Sequence, residues 1–280
     1  MKLITWNLQW GRGIDGRVDL ARIVKTARAI ADFDVFCVQE VADNFPGLEG
    51  NDDRDQFAEY ARLLPGFHLV AAPAVDVAGD SARRRRFGVA IYSRFPVISS
   101  RSHALPWPAD KGKESMPRTA AEATLRSPFG PLRVTTTHLE YYSEVQRNVQ
   151  ATRLRELNDE ASDRAAHPGA RTNQGGPFDA TPQAKSAILT GDFNCKTDSE
   201  AYAEIQRGNY PYRDAWTIAN KGKPHAPTFC VHDHRYSKQP YCCDFIFVSD
   251  DLAARVRTMS VDSATQDSDH QPVFIEIEES

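Results

Sequence analysis

No stretch of this 280-residue sequence holds a run of uncharged apolar residues long enough to cross a bilayer, so membrane insertion is not expected. The start of the chain has no apolar segment followed by a cleavage site, and its first apolar strand begins at Lys2. Cysteine is scarce and odd in number: Cys37, Cys195, Cys230 and the adjacent Cys242 and Cys243 make five. That count argues against a disulfide framework and for a reducing compartment, so a cytoplasmic protein is expected. An excess of one charge is also missing. Lys and Arg total 34 against 38 Asp and Glu, a formal net charge of -4, so there is no global basic field and a polyanion must be held by a local patch. No internal repeat and no convincing linker divides the chain. With 41% hydrophobic residues it can bury a large core, and residues 1–280 are expected to form a single domain.

What is present is one construction used repeatedly. Residues 187–194, AILTGDFN, form a short apolar run that stops at a glycine, an aspartate and an asparagine. Its length and apolarity suit a strand covered on both faces better than a helix, with Gly191 as the bend where the chain leaves the sheet. Asp192 and Asn194 are then delivered to a rim. Similar endings occur in LITWN at Asn7, VFCVQE at Glu40, VTTTHL at His138, and at Asp269 and His270 just before PVFIEI. One such ending is a loop, whereas their recurrence points to a shared site.

Between these strands the sequence reads as follows. GRGIDG after the first strand is a literal G-x-G-x-x-G, followed by a helix with Leu20, Ile23, Val24, Ala27 and Ile30 on one face and then a strand ending in Glu40. A dinucleotide site needs its first glycine directly off the strand, and here Asn7, Gln9 and Trp10 intervene, so a plain turn is the preferred reading. QFAEYARLL has the spacing of a short helix burying Phe57, Ala61 and Leu64. The four arginines at 83–86 read as a solvated loop before the strand FGVAIYS, in preference to a phosphate contact, because charge runs usually face water. Residues 106–117 read as a loop, after which Arg118 opens the strand RTAAEATL, where its guanidinium can fork onto phosphate oxygens. VTTTHL, a long helix and AILTGDFN form a crossover. If the two strands are parallel, the polar stretch 168–182 lies at the far end from Asp192 and is expected to be mobile and dispensable. Ser199 is a candidate cap for the helix SEAYAEIQR, 209–239 reads as loop-rich, and DFIFVS, ARVRTMSV and PVFIEIEE as three closing strands. Helices alternate with strands early and strands crowd together later, which suggests sheets packed face to face with helices outside.

Magnesium and similar hard cations want oxygen ligands, usually one or two carboxylates with water and phosphate. Asn7, Glu40 and Asp269 can supply them. Phosphoester hydrolysis also needs a base that orients water and donors for charge growing on the phosphoryl oxygens. Asp192 and Asn194 suit the first task, His138 and His270 the second, and Asp244 can hold a histidine in one tautomer or keep it charged. Taken singly, a rim Asp or Asn usually caps a turn and a lone His is usually structural. Their joint placement at strand ends is what favours chemistry. A rival cluster, Cys230, His232, His234, Cys242 and Cys243, offers zinc ligands, but its C-x-H-x-H spacing fits none of the usual structural zinc pairs.

TWN ending at Asn7, QE at Glu40, THL around His138, GDFN through Asn194, DFIFVS from Asp244 and SDH ending at His270 together resemble the endonuclease/exonuclease/phosphatase superfamily, with its deoxyribonuclease I-like fold, in the same motif order. The resemblance implies an α/β four-layer sandwich of two packed mixed β-sheets flanked by helices, and metal-dependent phosphoester cleavage with magnesium, manganese being an alternative ion. Position by position, Asn7 and Glu40 are similar to metal-side residues, Asp269 to a further metal or phosphate contact, Asp192 to the residue that activates water, and Asn194 to its partner. His138 and the His270–Asp244 pair resemble the phosphate-polarising histidines, and Arg118 a phosphate-binding arginine. Gln9 and Trp10 stand where DNA-repair members carry an acidic residue, and PYCCDF keeps only a cysteine and an aspartate of the inositol polyphosphate phosphatase signature. The expected partner is therefore a phosphoester substrate: a nucleic acid, a phospholipid head group or a small phosphodiester. No protein partner is implied. A catalytically silent phosphate-binding module on the same fold is the first alternative, and a dinucleotide-binding oxidoreductase using GRGIDG the second.

Overall fold

The computed structural model describes residues 1–80, 82–170 and 172–279. In chain order the elements are β1 (Lys2–Asn7), α1 (Leu20–Ile30), β2 (Val35–Asp43), α2 (Gln56–Leu63), β3 (His68–Ala78), β4 (Arg84–Ser93), β5 (Val97–Ala104), β6 (Thr119–Ser127) and β7 (Gly130–His138). They continue with α3 (Glu144–Ala166), β8 (Ser186–Asp192), α4 (Glu200–Ile205), β9 (Arg213–Asp214), α5 (Ala215–Ala219), β10 (Asp244–Val248), α6 (Asp250–Ala253), β11 (Val256–Val261) and β12 (Val273–Ile277). The strands form two 6-stranded sheets, ordered β11-β12-β1-β2-β4-β3 and β5-β6-β7-β8-β10-β9. Both are mixed: β1 runs parallel to β2 and β7 to β8, while their other neighbours are antiparallel.

Successive strand residues face opposite sides of a sheet, so strands covered on both faces must be apolar throughout. In β2, Val35 and Cys37 point into the core between the sheets while Phe36 and Val38 pack outward beneath α1 and α2. In β10, Ile246 and Val248 face the inner core, and Phe245 and Phe247 pack outward with residues of α3 and α4. The layers are therefore helix, sheet, sheet, helix, as the resemblance implies. Each fully buried large apolar side chain here contributes about 1.5–3 kcal/mol from area removed from water.

Several local readings change. β3 and β5 are long strands without a strong sequence signal, and both lie at sheet edges with many exposed positions, where a sharp apolar pattern is not required. The arginine run is not a solvated loop: Arg84, Arg85 and Arg86 belong to β4, with Arg84 paired to Asp76, Arg85 to Asp80, and Arg86 to Asp43 across the β2–β4 ladder. Arg83 also bonds Asp43. In α2 the buried residues are Gln56, Phe57 and Tyr60, with Ala61 only partly covered. The closing strands split between sheets, β10 in one and β11 and β12 in the other, with α6 between them. The stretch 209–239 is mostly loop but contains β9 and α5. Ser199 caps α4 through the Tyr202 amide. The crossover is parallel, with Leu132 opposite Ser186 and His138 opposite Asp192, so 168–182 enters β8 at the end remote from Asp192. Within that stretch Arg171 lies outside the described residues.

Candidate active site

Strand direction and register bring the polar ends together. Asn7 closes β1 opposite Gln39 of the parallel β2. His138 closes β7 opposite Asp192, and Asp244 opens the antiparallel β10 opposite Asp192 as well. The segment carrying Asp269 and His270 precedes β12, which runs antiparallel to β1, so it arrives at the same edge. It is pinned there by Ser268 Oγ donating to the Asn7 carbonyl at 2.7 Å and by Trp6 Nε1 donating to the His270 carbonyl at 2.9 Å. Beneath the rim, Gln39 Nε2 donates to Thr5 Oγ1 at 3.2 Å and Thr136 Oγ1 at 2.9 Å, tying one sheet to the other.

Two local features differ from the sequence reading. Gly191 is not a bend at the sheet's exit but a ladder residue of β8 paired with Phe245, at φ +143°, and a side chain there would strike the backbone of Thr137. β2 does not end at Glu40: it runs on to Asp43, with a register shift between Val38 and Val41 and Glu40 at φ 60°. Bulges of this kind re-aim a side chain beside a site. Gln9, Trp10 and Asn194 also sit at positive φ, and left-handed non-glycine residues cost about 1–3 kcal/mol each.

Asp192 is the centre of the arrangement. Its Oδ2 accepts from Asn7 Nδ2 at 3.0 Å and lies 3.4 Å from His138 Nε2 and 3.6 Å from His270 Nε2. Its Oδ1 accepts from the Asn194 amide at 2.9 Å, while the Asn194 side chain donates to the Leu139 carbonyl. Asn7 Nδ2 also reaches Glu40 Oε1 at 3.1 Å. His270 Nδ1 lies 2.9 Å from Asp244 Oδ2, and both side chains are buried.

The two histidines are tuned in opposite directions. Burial alone would lower His270, but Asp244 and then Asp192 outweigh it and hold the ring well above its ordinary value, hence charged at neutral pH. For His138, burial reinforced by the nearby Arg118 charge outweighs Asp192 and lowers the ring to about 3, hence neutral. Burial, followed by the adjacent Asp269 charge, raises Glu40 to about 7, and burial likewise raises Asp269. Glu40 and Asp269 are thus like charges with too little positive charge between them. That oxygen-rich imbalance fits a hard divalent cation, which Asn7, Glu40 and Asp269 can hold together with water and phosphate.

Arg118 sits in the same cleft, buried, its Nε 3.2 Å from Glu140 Oε2 and its Nη1 without a hydrogen-bond partner. Gln9 donates through Nε2 to Asp269 Oδ2 at 2.8 Å. Its role was hidden in the sequence, where the only signal was its place two residues beyond Asn7. Glu140, Gln39 and Ser268 were missed for the same reason, since each acts through a partner distant in sequence.

The rival zinc set does not assemble. His232 Nε2 pairs with the Ser263 carbonyl, and Cys230 and Cys243 pack with Phe229. Among the described residues the compact group of possible ligands is Asp192, Cys243 and His270, in which burial pushes the Cys243 thiol up and His270 is engaged by Asp244. The glycines of GRGIDG do not open a helix either. α1 starts at Leu20 and is capped by the carboxylate of Asp19, a poor seat for a pyrophosphate.

No helix among the described residues is long and apolar enough to cross a membrane. Comparison with curated proteins finds no match. The fold is similar to an endonuclease/exonuclease/phosphatase from Bacteroides vulgatus (TM-score 0.69, 20% identity, covering 99% of this chain and 98% of that one). It is also similar to a mannosyl-6-phosphatase from Bacteroides thetaiotaomicron (TM-score 0.68, 20% identity, 99% of each chain). A third similar structure is an endonuclease/exonuclease/phosphatase from Beutenbergia cavernae (TM-score 0.66, 23% identity, 99% of this chain and 72% of that one). The sequence profile described as Endonuclease/Exonuclease/phosphatase family matches residues 4–270, and the chain belongs to that family, whose members hydrolyse phosphoester bonds.

Proposed function

We propose that this chain is a divalent-metal-dependent phosphoesterase in which Asp192 activates water. The observation that carries this reading is the position of Asp192 Oδ2, oriented by Asn7 and flanked by the Nε2 atoms of a charged and a neutral histidine. A carboxylate so held can take a proton from water as the water oxygen forms a bond to phosphorus and the ester P–O bond breaks. The H and OH of one water are divided between the products, an alcohol and a phosphate. His270, kept charged by Asp244, stabilises the negative charge on the phosphoryl oxygens, and His138 offers a neutral N–H beside it. Asn194 fixes Asp192 through its backbone amide. The free Nη1 of Arg118 is a buried cationic donor suited to a phosphate oxygen.

Asn7, Glu40 and Asp269 would hold magnesium, or manganese in its place. When bound, the ion supplies Lewis-acid polarisation of the phosphoryl group and relieves the Glu40–Asp269 repulsion. The shared inner core of the two sheets supports reading 1–280 as one domain, and the five free thiols support a reducing, cytoplasmic setting. Every residue the chemistry requires is present, which weakens the silent-module alternative. The test is hydrolysis of bis-p-nitrophenyl phosphate by chelator-treated protein with and without added magnesium or manganese. Turnover that returns with the ion supports the reading, and its absence with every metal rejects it.

A further inference from the structure

The site described above opens into a cleft of about 380 Å³, a volume that suits a small ligand. Its cations are too few to follow an extended polyanion. Apart from the charged His270 and the carboxylates assigned to the metal and to water, Glu40, Asp192 and Asp269, the described lining residues include a single Lys or Arg, Arg118. The nearby rim cations are engaged elsewhere: Arg12 with Glu49, and Arg235 with Asp233. Duplex DNA presents a charge about every 1.7 Å and is gripped through rows of free cations. The described residues that line this cleft include no such row.

Its apolar side is organised instead as a series of aromatic rings beside the chemistry. The Phe229 ring lies 4.4 Å from the His270 ring at 30°, and the Tyr236 ring lies 6.0 Å from Phe229 at 28°. Tyr141 and Tyr142 meet edge to face at 4.9 Å in the same cleft. At its mouth Tyr142 and Tyr236 each remain 51% exposed, although large aromatic rings gain by being covered.

We infer that this cleft takes a small phosphoester whose retained group is flat and aromatic, held against Tyr142 and Tyr236 while the phosphate sits between His138 and His270. The inference rests on the phosphoesterase reading and narrows its substrate class. Aromatic side chains provide sequence-tolerant stacking, and a base or aryl ring beside these two tyrosines needs no additional cation.

Three phosphodiesters with the same p-nitrophenyl leaving group test it, the retained group being methyl, benzyl or thymidyl. Because the bond broken is the same, differences in kcat/KM report contact with the retained group. The benzyl or thymidyl ester is expected to exceed the methyl ester by roughly tenfold, the scale of one stacked ring. Between them, the two arms separate a plain aryl preference from a nucleoside preference. Tyr142→Ala and Tyr236→Ala should pull the ratio towards one, while Tyr142→Phe and Tyr236→Phe keep it. Equal kcat/KM for all three esters, a ratio indifferent to the alanine variants, or faster cleavage of duplex DNA overturns the inference and leaves the phosphoesterase reading standing. No turnover of any ester in the presence of metal overturns both.

Discussion

Gly191→Ala isolates the contact on which the site's geometry depends. Gly191 has φ +143°, a conformation that L side chains rarely adopt. A Cβ built there falls 2.9 Å from the Thr137 carbonyl carbon and closer still to its oxygen, and the obstacle is backbone rather than a flexible side chain. Two costs add: about 1–3 kcal/mol for the backbone conformation and about 1–3 kcal/mol for overpacking, so roughly 2–6 kcal/mol in all. Thr137 and Gly191 immediately precede His138 and Asp192, whose side chains lie 3.4 Å apart, so any spreading of β7 from β8 opens that pair. Gly66→Ala is the control: φ is also positive, at +82°, but nothing lies within 4 Å of the added carbon. Because the control shares the positive-φ cost, urea unfolding with a freely fitted m-value should show Gly191→Ala destabilised by at least about 1 kcal/mol more than Gly66→Ala, the overpacking part alone, with activity lost in the folded fraction. Equal unfolding midpoints for the two variants, or full activity in Gly191→Ala, would refute the account of how the strands position the site.

Further outcomes follow from charge. Asp244→Asn removes the main influence raising His270, so the alkaline limb of the kcat/KM profile should move to lower pH. A raised histidine stabilises the fold fully below its unfolded value of about 6.5, and this contribution fades as pH climbs through the folded value. The stability gap between wild type and Asp244→Asn, about 1–2 kcal/mol for exchanging a charge-assisted hydrogen bond, should therefore be widest below about pH 6.5 and narrow above it. A limb that stays in place would count against His270 as the charged donor. Glu40→Gln should raise the magnesium concentration for half-maximal activity by roughly tenfold or more, on the scale of ligand-shell changes. In chelator at alkaline pH the same variant should melt above wild type, because Glu40, raised to about 7, is ionised there beside Asp269. A lower melting point in chelator would mean that the pair is already compensated. Deleting 169–176, at the end of β8 remote from Asp192, should leave kcat/KM within about twofold. Loss of activity in a folded deletion variant would contradict the expectation that the segment is dispensable.

How much of this was legible in the sequence depends on the range of the forces involved. Strand ends such as Asn7 and Asp192 were readable because a largely apolar strand announces itself locally and a polar residue at its end has few places to go, and His138 because a β-branched run precedes it. The layer order followed from the same pattern. The turn of Glu40 into the cleft was not readable, because a bulge is specified by the partner strand, here β4, and not by the residues that bulge. The arginines at 83–86 looked like a solvated run because Asp43, half of their pairing, lies in β2, some forty residues earlier in the sequence. Gly191 carried a visible signal with the wrong cause: the glycine answers to the Thr137 backbone and not to a turn. Gln9 and Glu140 act by holding Asp269 and Arg118, and only the folded chain reveals such partners.

The central claim is that Asp192 does the proton transfer in a pocket assembled from distant strand ends. The most direct measurement is kcat/KM of purified Asp192→Asn on bis-p-nitrophenyl phosphate with saturating magnesium, beside its thermal midpoint. The account predicts a fall of about 100-fold or more, the usual contribution of a general base, in a protein that still unfolds cooperatively. Activity within about tenfold of wild type would contradict it.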